Sequence, residues 1–167
     1  MNVENALEIL KKAILLETRG NAFYSHAAES AKDVAVKRFF ESMAQEELKH
    51  IDVLSAQYKN YQKAQRFVSQ PLDSDEKADL AAKVLTTDLK QKMSAAGFEA
   101  AAISAAMAME ERAIKLYADR AAASNDSEEK ALYKWLAEWE KKHLKLLTDI
   151  DRALTETIWF DNQFWPF

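Results

Sequence analysis

Two short stretches, Glu47-Leu48-Lys49-His50 and Glu140-Lys141-Lys142-His143, carry the same Glu-x-x-His spacing 93 residues apart. Glu17 with Tyr24 and Glu110 with Tyr117 form a second pair that repeats at the same offset. Each copy therefore reads Glu, six residues, Tyr, 22 residues, then Glu-x-x-His, and the chain is one unit written twice. On a helix a step of three returns to within about 60° of its start and a step of seven to within about 20°, so each set projects from one face. The two Glu of a copy stand 30 residues apart, with polar midpoints at Lys32 and Asn125, the latter followed by Asp126. Folding each copy at its midpoint gives an antiparallel hairpin with arms of about 15 residues, roughly 22 Å, and sets its two Glu level. Two such hairpins face to face bring four Glu and two His to one height.

Composition agrees with an all-α chain. Only two Gly and two Pro occur in 167 residues, 49% of residues are hydrophobic and 30% charged, as a single amphipathic bundle requires. The net charge of −4 without a long basic run argues against nucleic acid as a partner. The absence of cysteine excludes disulfides and thiolate metal sites in this chain. Glu4 and Glu8 occupy a start where a secretion signal needs positive charge and an apolar run, and no apolar stretch reaches membrane-spanning length. A cytoplasmic protein with no membrane partner is the expectation.

The periodicity predicts a first helix over about 3–31, with Leu10, Ile14, Glu17, Tyr24 and Ala28 on its inner stripe. Asp33 caps a second helix whose inner face holds Val36, Phe40, Met43, Glu47, His50, Leu54 and Tyr61. A third helix over about 97–123 presents Ile103, Met107, Glu110, Ile114, Tyr117 and Ala121. Asp126 and Glu129 suggest a capping box for a fourth, which buries Tyr133, Leu136, Glu140, His143, Leu147 and Leu154 and ends near Thr157. Between the hairpins, about 66–96 reads as a long crossover, and 158–167 as an aromatic tail that packs on the bundle end or on another subunit. His26 falls on the opposite side of its helix from Glu17 and reads as solvent-facing. Glu46 and Glu111, about 100° off the ligand faces, read as solvated or flanking charges.

Four carboxylates facing one another in a core are costly if ionised and unpaired. Two divalent cations balance them, and oxygen and nitrogen donors without sulfur suit iron, manganese or zinc. Carboxylate bundles of the di-metal kind use this set, one Glu from each of two helices and Glu-x-x-His from each of the others. On that scheme Glu47 and Glu140 bridge the metals, His50 and His143 bind one each, and Glu17 and Glu110 are terminal ligands. Tyr24 and Tyr117, two turns along, are placed to hydrogen-bond the ligating carboxylates or to pack in the core. Taken alone, either Glu-x-x-His would read as a surface pair; the duplicated set is what points to a metal site.

The segments LETRGNAFY with MAQEELKH, and MEERAIKLY with LAEWEKKH, resemble the ferritin-like superfamily and within it the rubrerythrin family. The resemblance covers both copies and leaves out the crossover and the tail. It implies a ferritin-like four-helix bundle with a non-haem centre of two iron ions, reaction with hydrogen peroxide or dioxygen in oxidative-stress defence, and an external electron donor. It also implies a homodimer, sometimes with exchanged helices. Three positions depart from the relatives. Rubrerythrins proper have a further Glu where this chain has Ala113, and a cysteine-ligated rubredoxin domain that this chain lacks. Leu48 stands where bacterioferritins carry a haem-binding Met, so haem is not expected. Two other functions fit the same ligands: oxidation of ferrous iron for storage or delivery, and a metal-stabilised module without turnover.

Overall fold

A computed structural model describes residues 3–70, 72, 89, 92–93 and 97–161. Four helices account for most of them: α1 Val3–Ser30, α2 Val34–Ala64, α3 Phe98–Ala123 and α4 Ser127–Asp161. Helices α1 and α2 form one antiparallel hairpin, α3 and α4 the other, and α1 also packs on α3. The architecture is the expected all-α four-helix bundle, and no helix among the described residues is long and apolar enough to cross a membrane.

The repeat extends to the helix caps. Asp33 Oδ1 accepts from the amides of Ala35 at 2.7 Å and Val36 at 3.3 Å. Asp126, its counterpart, accepts from Glu128 and Glu129, both at 2.9 Å. Each cap satisfies amide donors that the first helical turn leaves without partners. The C-terminus of α2 is closed by Gln65 in the left-handed region at φ 54°, its amide donating to the Tyr61 carbonyl. The Gln57 side chain then clamps Val68 in both directions, Nε2 donating to the carbonyl at 2.6 Å and Oε1 accepting from the amide at 3.2 Å.

Two expectations need correction. Glu129 does not complete a capping box: its carboxylate accepts from Arg120 Nε at 2.7 Å and Nη2 at 2.6 Å, and from Ser124 Oγ at 2.6 Å. Arg120, Ser124 and Glu129 occupy the places of Ala27, Ala31 and Val36 in the first copy, so one corner of the bundle is apolar and its counterpart is a buried ion pair. A charged group buried there demands its partner, so Glu129 closes the corner instead of the helix end. The second correction is the end of α4, which runs past Thr157 to Asp161, because no Gly or Pro interrupts those residues. Of the crossover expected over 66–96, most lies outside the described residues, as does the tail from 162 onward.

The apolar side chains divide into two clusters. One gathers Tyr24, Phe39, Phe40, Met43, Ile103, Leu147 and Ile150, with Leu89 and Met93 among them. The other gathers Leu10, Leu54, Tyr61, Phe67, Tyr117, Leu132 and Leu136. Each large aliphatic or aromatic side chain buried this way contributes about 1.5–3 kcal/mol. Between the clusters lies a layer of buried Glu and His, held at mid-height by the hairpin arms.

Candidate metal centre

Glu17 on α1, Glu47 and His50 on α2, Glu110 on α3, and Glu140 and His143 on α4 are all buried and converge on this layer. Their ligand atoms form two overlapping groups, Glu17–Glu47–His50–Glu140 and Glu47–Glu110–Glu140–His143, with the atoms of each group within 4.8 Å of one another. Glu47 and Glu140 belong to both groups, and each group adds one His and one further Glu. The Nδ1 atoms face the carboxylates. His50 Nδ1 lies 2.9 Å from Glu140 Oε1 and 3.2 Å from Glu17 Oε2. His143 Nδ1 lies 3.0 Å from Glu140 Oε2 and 3.4 Å from Glu47 Oε1.

The tyrosines reach across the bundle. Tyr24 on α1 donates to Glu110 on α3, and Tyr117 on α3 donates to Glu17 on α1. Burial and the nearby carboxylate charges hold both hydroxyls well above the ordinary tyrosine value, so they act as neutral donors. His26 is exposed beside Glu29, and Glu111 is exposed. Glu46 is not the solvated charge that its angular position suggests. It is 0% exposed, its Oε2 accepting from Trp139 Nε1 at 3.0 Å and standing 2.8 Å from His143 Nε2. The flank of the inner stripe, at the height of the ligands, faces α4 and not water.

Electrostatics divides the carboxylates into two kinds. Burial, with the charge of Glu47 adding to it, pushes Glu17 up to about 8. Burial and the charge of Glu140 raise Glu110 well above the carboxylate range. Burial also acts on Glu47 and Glu140, but hydrogen bonds with the two histidines help bring both below the ordinary value. Burial alone would lower the histidines; the surrounding Glu carboxylates reverse this and hold both well above 6.5. Without a cation, burial and the neighbouring charges favour the protonated forms of Glu17, Glu110, His50 and His143. Divalent cations bring to the layer the positive charge that protons on these groups would otherwise supply.

The donors fit such cations. Glu47 Oε1 and Glu140 Oε1, one oxygen from each shared carboxylate, are buried and accept no well-aligned hydrogen bond among the described residues, with only the imidazole Nδ1 atoms of His143 at 3.4 Å and His50 at 2.9 Å beside them. Oxygen and imidazole donors without thiolate suit iron, manganese or zinc. Gly20, the residue of α1 beside Glu47, leaves room for the carboxylate: a Cβ there would come within 3.3 Å of Glu47 Cδ and Oε2. A small enclosed space of about 10 Å³ is bounded by Leu16, Glu17, Gly20, Glu47, Met109, Glu110, Ala113 and Glu140. Its walls take in the four carboxylates and neither imidazole.

Over residues 8–150 the chain matches the family described as Rubrerythrin. Neither the comparison with curated proteins nor that with solved structures gives a match. The matched span takes in both hairpins and all six buried Glu and His side chains of the layer, and the chain belongs to the rubrerythrin family of ferritin-like, iron-binding proteins.

Proposed function

We infer that this chain is a non-haem di-iron oxidoreductase that reduces hydrogen peroxide or dioxygen, in oxidative-stress defence, with electrons from an external carrier. The observation that carries this reading is the placement of the enclosed space. It borders Glu17, Glu47, Glu110 and Glu140 directly, and Gly20 and Ala113 keep it from being filled. At about 10 Å³ it is near the size needed for one water-sized molecule, which favours a small oxidant over a larger organic substrate at the centre.

Glu17 and Glu110 would each hold one metal from the side, Glu47 and Glu140 would hold both, and His50 and His143 would bind one each through Nδ1. Bound iron would supply the electrons that the oxidant accepts, and no side chain of the layer is a redox group of comparable ease. The chain's own work is to place the ligands and to exclude water. Tyr24 and Tyr117 fix the outer oxygens of Glu110 and Glu17. Reduction of one hydrogen peroxide to two waters takes up two electrons, from the external carrier, and two protons, from the surrounding water. Manganese or zinc fits the donors too, but zinc supplies no electrons.

Assembly as a homodimer belongs to the same reading, supported by Trp159 and Phe160 at 54% and 79% exposed on the last turn of α4. Stopped-flow mixing of the diferrous protein with hydrogen peroxide tests the activity. Rapid growth of ferric absorbance, faster with peroxide than with buffer, is the expected result; absorbance that does not change removes the oxidoreductase reading.

A further inference from the structure

Positions 46 and 139 correspond under the 93-residue repeat, yet one copy carries Glu46 and the other Trp139. The two side chains meet, the indole Nε1–H donating to Glu46 Oε2 at 3.0 Å. Corresponding residues touch each other only near the axis that relates the two hairpins. A perfect repeat would set two carboxylates or two indoles against each other there; one of each gives the donor its acceptor. The exchange also breaks the symmetry of what lies behind the two histidines.

The same Glu46 oxygen stands 2.8 Å from His143 Nε2. Because an indole only donates, that oxygen is already an acceptor, and the imidazole supplies the proton of the second contact as well. With Nε2 committed as donor, Nδ1 is the ring atom left to ligate a cation among Glu47, Glu110 and Glu140, the last at 3.0 Å. His50 has no such support. Its Nε2 has no hydrogen-bond partner among the described residues, and its ring is bordered edge-on by Trp135 and Trp139, with centroids at 5.5 and 5.8 Å. Behind Nε2, one histidine has a carboxylate and the other only packed indole rings.

We propose that Glu46 is a positioning residue that makes the two metal positions unequal, so that the one formed by Glu110 and His143 holds a divalent cation more tightly than the one formed by Glu17 and His50. The proposal rests on the metal centre described above. A carboxylate behind a ligating imidazole fixes the ring and raises its basicity, and loss of such a partner typically weakens metal binding by about 10- to 100-fold. The Glu17–His50 position is then the one through which metal leaves first.

The full-length chain, loaded with Co²⁺ and dialysed against graded chelator, tests this when the metals per chain are counted by native mass spectrometry. Wild type should pass through a plateau at one Co²⁺ per chain, with its two losses separated by about tenfold or more in free metal. In Glu46→Gln, which keeps the size and an acceptor oxygen for Trp139, the tighter step should weaken by about 10- to 100-fold and merge with the looser one, which stays in place. Glu17→Gln should retain one Co²⁺ as tightly as the wild-type plateau, and Glu110→Gln should retain one only loosely. Loss of both metals together in wild type overturns the proposal. So does a Glu46→Gln chain that weakens both steps equally, the mark of a merely structural role, or one that moves neither. The comparison of Glu17→Gln with Glu110→Gln decides even if Glu46→Gln fails to fold, since equal retention by the two contradicts inequality. A wild-type chain that takes up no Co²⁺ overturns the metal centre itself.

Discussion

Tyr24 on α1 donates its hydroxyl proton to Glu110 on α3, across the bundle and not to Glu17 on its own helix. Tyr117 returns the contact from α3 to Glu17. Each of these carboxylates is thus held by the hairpin that does not carry it, so helix packing and ligand geometry are coupled. Tyr24→Phe should free Glu110, and Tyr117→Phe should free Glu17, each weakening metal retention by about 10- to 100-fold with helix content unchanged. Chelator competition measures this; retention equal to wild type would leave the tyrosines a packing role.

Protein stripped of metal should be most stable in mild acid. The folded-state values of Glu17, about 8, and of Glu110 are raised from 4.5, and those of both histidines from 6.5, so across this range the folded chain binds more protons than the unfolded one. Stability contributed by these groups is full below their unfolded values and is lost as pH rises, through about 8 for Glu17. Glu47 and Glu140, lowered below 4.5, act oppositely and lose their contribution as pH falls through their folded values. Metal-loaded protein should show the reverse slope near neutrality, because cations displace the same protons. Melting temperature against pH for the two forms checks this, and parallel profiles would contradict it.

Gly20 should separate helix stability from metal binding. Replacing a mid-helix Gly by Ala favours the helix by roughly 0.5–1 kcal/mol. The new Cβ, at 3.3 Å from the Glu47 carboxylate, requires that ligand to shift. Gly20→Ala should therefore leave the stripped protein as stable or more so, while the loaded protein loses metal more readily. Denaturant unfolding with metal analysis reads both, and a variant that gained stability with undiminished metal content would show that Glu47 adapts.

The converging side chains were legible because helical spacing is rigid: steps of three and seven place Glu, His and Tyr on one face whatever surrounds them. Glu46 was not legible by the same reasoning. An angle of 100° from the ligand face means solvent on an isolated helix, but in a four-helix bundle that flank meets a neighbour, here Trp139 of α4. The available signal was the indole at the corresponding position, a donor in need of an acceptor. Glu129 misled in a related way, since its spacing from Asp126 fits a cap while the Arg that claims it lies nine residues before it. The end of α4 departs from the repeat: Thr157 corresponds to Ala64, where α2 ends and Gln65 turns, and nothing in the second copy stops the helix there.

The central claim is that Glu47 and Glu140 are shared between two metals, each completed by one His and one further Glu. Anomalous diffraction at the iron edge from crystals of the iron-loaded protein tests it most directly. Two peaks per chain are predicted, about 3.5–4 Å apart, one beside Glu17 and His50 and the other beside Glu110 and His143, with Glu47 and Glu140 reaching both. A single peak, or peaks away from these six side chains, would contradict it.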